Sequence, residues 1–305
     1  SVVGTWAQDI TDAKGSDPTP DSGYFPGITC KAMWEKVLSK GMRGMIEEAE
    51  AGIQRFREMK ETDINKFYFW QSAIIVCEAM INYARRYSKL AHRMADEEPN
   101  PERRSELNEI ARICEWVPEN PARTFHEAIQ CMNFIEVGRG LEAMYPLLLG
   151  RIDQYLWPYF EKDIRDERLT LERAAELLGG AITLWGMKFV VQVGKTQQET
   201  HQFSFGINST NIGGVDRDGK DASNELSYLI LHMVGLLRLS SPTILFNWHS
   251  HAPRWLLLKA LETNSKTKGG IPLFENSEHV VASFLNNGIP LEEARDWYGQ
   301  GCVTP

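Results

Sequence analysis

Cysteine is scarce in this chain: five in 305 residues, at Cys30, Cys77, Cys114, Cys131 and Cys302. Their number is odd, they are scattered, and no CxxC pair occurs. That disfavours a disulfide framework and a zinc site, and it fits a reducing cytoplasm. Long hydrophobic runs are missing as well, since none approaches the roughly 20 residues needed to span a bilayer. A basic stretch leading into an apolar one, the mark of a signal peptide, is also absent. No membrane partner is expected. Positive charge is in deficit, with 33 Lys and Arg against 41 Asp and Glu and a formal net charge of -8. A phosphate-binding surface wants clustered Lys and Arg, so no nucleic-acid partner is expected. Walker and Rossmann glycine motifs, internal repeats and low-complexity tracts are lacking too.

What remains is an ordinary globular composition, 43% hydrophobic and 24% charged, long enough for one large or two small domains. Residues 1–30 are rich in Gly, Pro, Ser and Asp and read as a loop-rich segment. From Lys31 the pattern turns helical, with Trp34, Val37, Leu38, Met45, Ile46 and Phe56 recurring at three- and four-residue steps. Gly41 and Gly44 weaken that helix and mark close packing or a break. A second helix is expected over Asp63–Ala95. Asn100-Pro101 caps a third, because Asn suits the N-cap and Pro the first turn. Asn120-Pro121 opens a fourth, running to about Met144. Leu169-Thr-Leu-Glu172 reads as a capping box for a helix ending near Met187. Strand signals are few: Phe189–Val193, Gln202–Ile207 and Thr243–Trp248. Long helices interleaved with short strands suit an α/β barrel better than a helical solenoid.

The chemistry-bearing residues gather near the end of the chain. A short helix from Leu291 runs into Gly301-Cys302-Val303-Thr304-Pro305, a tight turn that presents one sulfur. Thiolate catalysis needs a nearby base or cation, and the immediate neighbours supply neither. That poverty is compatible with hydrogen-atom transfer, which needs no thiolate. A lone cysteine is by itself more often structural than catalytic, and the catalytic expectation for Cys302 comes from the family resemblance given below. The other helical cysteines, Cys77, Cys114 and Cys131, read as small buried hydrophobes. Asn247-Trp248-His249-Ser250-His251 follows the strand from Thr243. On a continuing strand, Asn247, His249 and His251 share one face. Asn247 and His249 are expected to line a substrate pocket or to make structural hydrogen bonds. No third ligand is spaced near the two histidines, so no metal is expected. Asp216-Arg-Asp-Gly-Lys-Asp221 lacks the alternating acids of a calcium loop and reads as an acidic turn capping a helix from Ala222.

Five segments together resemble the glycyl radical enzymes of the pyruvate formate-lyase family. They are Val117–Phe125 with Glu127-Ala-Ile-Gln130, Gly150-Arg-Ile-Asp-Gln-Tyr-Leu-Trp-Pro-Tyr159 with Asp163 after it, Gly213–Tyr228, Gly288–Arg295, and the cysteine turn. The resemblance implies a helix-rich α/β fold, an incomplete pyruvate formate-lyase-like barrel over 31–305. It implies a cysteine finger loop at the barrel centre, with Cys302 as the thiyl carrier. No bound cofactor is expected. The radical itself belongs to a glycine in a C-terminal domain whose signature is absent here, so the chain reads as a fragment, inactive alone. The family further implies a radical-SAM activating enzyme, a small-molecule substrate and a homodimer.

Thr304 bears on the reaction class. Many dehydratases, choline-type lyases and hydroxyarylacetate decarboxylases of the family carry Glu two residues after the cysteine, where it can act as a base on a substrate hydroxyl. Thr only donates or accepts a hydrogen bond. The family also often has Arg where Asn247 stands. Carbon–carbon chemistry is therefore the leading expectation: acyl cleavage, arylacetate decarboxylation or fumarate addition. A dehydratase or carbon–heteroatom lyase is the alternative, and a helical interaction scaffold the non-enzymatic one.

Overall fold

The computed structural model describes residues 33–60, 62–141, 148–186, 208–239, 241–268 and 270–299. In chain order its helices are α1 (Trp34–Glu58), α2 (Ile64–Glu97), α3 (Pro101–Trp116) and α4 (Phe125–Leu141). They continue with α5 (Ile152–Tyr155), α6 (Trp157–Arg165), α7 (Leu171–Gly186) and α8 (Glu225–Leu237). The last are α9 (Arg254–Lys266), α10 (Ser277–Asn286) and α11 (Leu291–Arg295). The strands are β1 (Leu148–Arg151), β2 (Ser209–Gly213), β3 (Thr243–Trp248) and β4 (Leu273–Asn276). Two compact units result: a helical one of Ala32–Ile135 and Pro158–Thr170, and a sheet one from the described residues of Glu136–Trp157 and Leu171–Pro305. Among the described residues no helix is long and apolar enough to cross a membrane.

In the helical unit the Asn100-Pro101 cap acts as expected, and Asp63, at the expected start of its helix, caps as well. The Asp63 carboxylate accepts from the Asn65 amide at 3.1 Å. Asn100 Oδ1 accepts from the amides of Glu102 and Arg103 at 2.9 and 3.3 Å, with Pro101 in the first turn. Gly41 is both a break and a close approach. Its φ is +67° inside α1, and a Cβ there would collide with the Glu119 carbonyl and the Asn120 backbone. The 118–122 loop is spliced into this break. Met42 and Arg43 amides donate to the carbonyls of Pro118 and Glu119 at 2.8 and 2.9 Å, and the Ala122 amide donates to the Leu38 carbonyl at 2.9 Å. The buried Glu119 carboxylate pairs with Arg43 and, at 2.5 Å, with Arg85. Asn120-Pro121 thus does not open a helix: the Asn120 amide donates to the Trp116 carbonyl at 2.9 Å, the Pro121 carbonyl accepts from Trp116 Nε1 at 2.8 Å, and their neighbours Pro118, Glu119 and Ala122 serve α1. α4 starts four residues later, its Phe125 amide capped by the buried Asp163 carboxylate at 2.7 Å, which Arg168 holds from the other side at 2.8 Å.

The sheet unit carries the expected α/β alternation. Its four strands are all parallel, in the order β1-β2-β3-β4. β3 falls on Thr243–Trp248 as expected from sequence. The other two expected strands, 189–193 and 202–207, lie outside the described residues. Strand alternation sorts the side chains onto two faces. Thr210, Ile212, Ile244 and Phe246 are fully buried on one, and Phe246 meets Phe274 edge-on at 5.8 Å between ring centroids. Apolar burial of this kind suits cover by the crossover helices α8 and α9, which join consecutive strands. The register puts Arg151, Asn211 and Leu245 side by side on the opposite face, followed by Gly213, Asn247 and Glu275. That face is polar, and it bears the site. β4 ends the described sheet with Leu273 and Phe274 half exposed. The helix expected from Ala222 begins at Glu225, where Asn224 and Ser227 form a reciprocal capping box.

Candidate functional site

The carboxyl ends of parallel strands are where α/β proteins collect polar side chains for ligands. Here the collection begins at Gly213 and Gly214, which end β2 with φ of +71° and +80°. A Cβ on Gly213 would lie 2.9 Å from the Phe246 ring, so the turn needs glycine for room as well as for conformation. Its peptide is gripped from both sides. Arg151 Nη2 donates to the Gly213 carbonyl at 2.8 Å, and the Gly213 amide donates to Asp153 Oδ2 at 2.7 Å. The Ser227 hydroxyl donates to the same Asp153 oxygen at 2.6 Å. Burial pushes the Asp153 carboxyl above its ordinary range, while Arg151, Ser227 and the Gly213 amide pull the other way.

Across the polar face, Asn211 Nδ2 donates to Asn247 Oδ1 at 2.8 Å, and Asn247 Nδ2 points at the Trp297 carbonyl at 3.5 Å. Both asparagines and Trp297 are buried. Gly299 follows closely: a Cβ on it would sit 3.0 Å from Leu245 Cδ2 and 3.6 Å from Asn211 Nδ2. The chain therefore passes over the carboxyl halves of β2 and β3 three residues before Cys302. Among the described residues, Arg151 Nε, Asp153 Oδ1, Asn211 Oδ1 and Ser209 Oγ are buried with no hydrogen-bond partner. Unpaired buried polar groups are costly, so native folds rarely leave them without a partner. One strand over from Asn247 stands Glu275, whose carboxyl burial holds above its ordinary range.

Of the sequence-derived site residues, Cys302 and Thr304 lie outside the described residues, as does the cysteine finger loop. Asn247 sits within the polar cluster. His249 is buried just beyond β3, with Nε2 3.0 Å from Asp221 Oδ1. Asp221 belongs to the acidic turn, which closes through an Asp216 amide to Lys220 carbonyl bond at 2.8 Å and a Val215–Asp221 bridge. His251 does not share the face of Asn247 and His249. The strand ends at Trp248, the chain turns, and His251 is exposed. Arg151, Asp153, Asn211 and Asp296 were not singled out from sequence. Arg151 and Asp153 stand in the Gly150–Tyr159 motif, which was the available signal; Asn211 and Asp296 carried none. The three helical cysteines in the described residues are free and buried as expected. Burial raises the Cys77 thiol, and pushes those of Cys114 and Cys131 up to about 11 and about 12.

Comparison with known proteins gives a consistent picture. A family model described as pyruvate formate lyase-like matches residues 26–305. An isethionate sulfite-lyase from Nitratidesulfovibrio vulgaris is 38% identical over 276 residues, covering 88% of this chain and 33% of that protein. Among solved structures, the glycerol-bound B12-independent glycerol dehydratase from Clostridium butyricum superposes with a TM-score of 0.82 at 31% identity, covering 90% of this chain and 34% of that one. A glycyl radical enzyme from Archaeoglobus fulgidus gives 0.79 at 32% identity, over 90% of this chain and 35% of that one. The chain thus spans about a third of the length of the relatives it matches.

Proposed function

This chain belongs to the pyruvate formate lyase-like family of glycyl radical enzymes, and from that premise we propose that it is part of the catalytic domain of a carbon–heteroatom lyase. The observation that carries the reading is the 38% identity to an isethionate sulfite-lyase over 88% of this chain. Together with the likeness to a glycerol dehydratase, it supports carbon–heteroatom cleavage better than the carbon–carbon chemistry expected from Thr304 alone.

Cys302 is the thiyl carrier. Its sulfur takes a hydrogen atom from the hydroxyl-bearing carbon of a small substrate, so a C–H bond breaks and an S–H bond forms. The carbon radical then expels the substituent on the neighbouring carbon as an anion, and the hydroxyl proton passes to water. The resulting carbonyl-bearing radical takes the hydrogen atom back from Cys302. Thr304 cannot serve as the base that assists loss of hydroxide, and it acts here as a hydrogen-bond partner for the substrate hydroxyl. This favours a leaving group that is a stable anion, such as sulfite, whose departure needs less push from a deprotonated hydroxyl than that of hydroxide. Asn247 and His249 bind the polar end of the substrate, with His249 held by Asp221. The radical source is a glycine outside these residues, installed by a radical-SAM activating enzyme. The working protein is a cytoplasmic homodimer of an anaerobe.

The test uses the full-length protein, activated without oxygen and offered isethionate or glycerol. Sulfite release from isethionate, abolished by Cys302→Ala, is the expected result. Turnover of glycerol alone makes it a dehydratase. Undiminished activity of Cys302→Ala would sink the thiyl assignment.

A further inference from the structure

The segment that delivers Cys302 is fastened before it arrives. Arg151 is buried, and Gly213 already takes one of its N–H groups. Its Nη1 faces Asp296 Oδ1 at 3.4 Å. The other Asp296 oxygen meets Arg217 Nη2 at 3.2 Å. One residue earlier, Arg295 Nη1 donates to the Arg217 carbonyl at 3.0 Å, and its guanidinium lies over Gly219, where a Cβ would meet Cζ at 2.8 Å. One residue later, Trp297 is buried, with its carbonyl toward Asn247. Residues 295 and 296 thus grip the 213–221 turn, and 297–299 lie on β2 and β3.

We propose that Asp296 is a positioning residue: its bridge between buried Arg151 and exposed Arg217 sets the register in which the chain reaches Cys302. This rests on the reading of Cys302 as the thiyl carrier. Asp296 is only partly buried and Arg217 is exposed, and ion pairs in such places add little stability, so stability alone gives little reason for one here. What an ion pair adds is direction. Ala294 and Trp297 are already buried and supply apolar contact, but apolar contact tolerates a small slide along the strand ends. Hydrogen-atom transfer does not, because the reacting atoms must approach to roughly 3–3.5 Å, and a misplacement of about 1 Å costs on the order of a hundredfold in rate.

The experiment takes the full-length protein and compares wild type with Asp296→Asn, Arg217→Gln and Cys302→Ala. Before activation, iodoacetamide labelling of Cys302 is timed by mass spectrometry, with Cys131 as the internal marker of an intact helical unit and an unchanged near-ultraviolet circular dichroism spectrum as the marker of the rest of the fold. After activation, the glycyl radical is counted by electron paramagnetic resonance, and kcat and KM are measured on isethionate. Asp296→Asn is expected to label at Cys302 about tenfold faster with Cys131 still protected, the signature of local opening. It is also expected to keep its radical content and KM while kcat falls about a hundredfold. Wild-type labelling of Cys302 in Asp296→Asn overturns the proposal, and so does a lowered kcat without faster labelling. Should Cys131 label too, or the spectrum change, that variant is unfolded and Arg217→Gln decides: faster Cys302 labelling supports the bridge, wild-type labelling overturns it. An active Cys302→Ala defeats the thiyl reading by itself, and the labelling arm still judges the bridge.

Discussion

Glu136 is buried on α4, with Arg139 Nη1 2.7 Å from its Oε1 and, among the described residues, no partner for Oε2. Burial outweighs Arg139 and raises its carboxyl from 4.5 to about 7. A carboxyl raised in the fold binds its proton more tightly there than in the unfolded chain. Its penalty is therefore absent below the unfolded value, grows as pH rises, and levels off above the folded value. Between pH 4.5 and 7 the slope is about 1.36 kcal/mol per unit, which amounts to roughly 3 kcal/mol by pH 8. Glu136→Gln mimics the protonated form at every pH. Urea unfolding at pH 4, 5.5, 7 and 8 should find the variant close to wild type at pH 4. It should become more stable than wild type with rising pH, approaching about 3 kcal/mol at pH 8. A difference that stays flat, or that favours wild type at pH 8, would refute the reasoning. It would mean that Arg139 attracts the charge more strongly than burial penalises it.

Three further outcomes are expected. Gly41→Ala should destabilise the helical unit by at least about 1–3 kcal/mol, because it adds backbone strain to a collision with the 119–120 backbone; a thermal-unfolding midpoint equal to wild type would contradict this. Asp163→Ala removes the cap on the Phe125 amide and the partner of Arg168, and should cost about 2 kcal/mol or more by the same assay. Cys114 and Cys131 should resist iodoacetamide at pH 8 in the folded protein and react on unfolding, since both thiols are buried and pushed up to about 11 and about 12. Labelling of either in the native state at the rate of free cysteine would disprove their burial.

Much of the helical unit was legible because its signals are local. Asp63 and Asn100 accept from amides within three residues, Pro101 occupies the first turn, and the apolar spacing from Trp34 requires no tertiary knowledge. Asn120-Pro121 misled for the opposite reason: the backbone around it, at Pro118, Glu119 and Ala122, is engaged about 80 residues away in α1. The sheet was harder. β3 shows as Thr-Ile-Leu-Phe-Asn-Trp, but β2 is Ser-Thr-Asn-Ile-Gly, which has the composition of a loop. Its inner-face residues are polar because they serve the site, so the demands of the site erase the hydrophobic alternation that betrays a strand. β1 and β4 have four residues each, too few to show a period. Asn247 and His249 were visible because β3 was, and His251 was misplaced because nothing local announces that the strand stops at Trp248. Asp296 became significant only once the fold brought it to Arg151, 145 positions earlier.

The loop spliced into α1 ties the order of events in folding to a distant part of the chain. The middle turn of an ordinary helix can form as soon as its own residues are available, within about a microsecond. Here the amides of Met42 and Arg43 and the carbonyl of Leu38 find their partners only when 118–122 arrives. The two ends of α1 can wind early, but the joint between them waits for a closure of about 80 residues. Hydrogen exchange at Met42 and Arg43 should therefore report the docking of the loop between α3 and α4, rather than the fraying of the helix in which those residues sit.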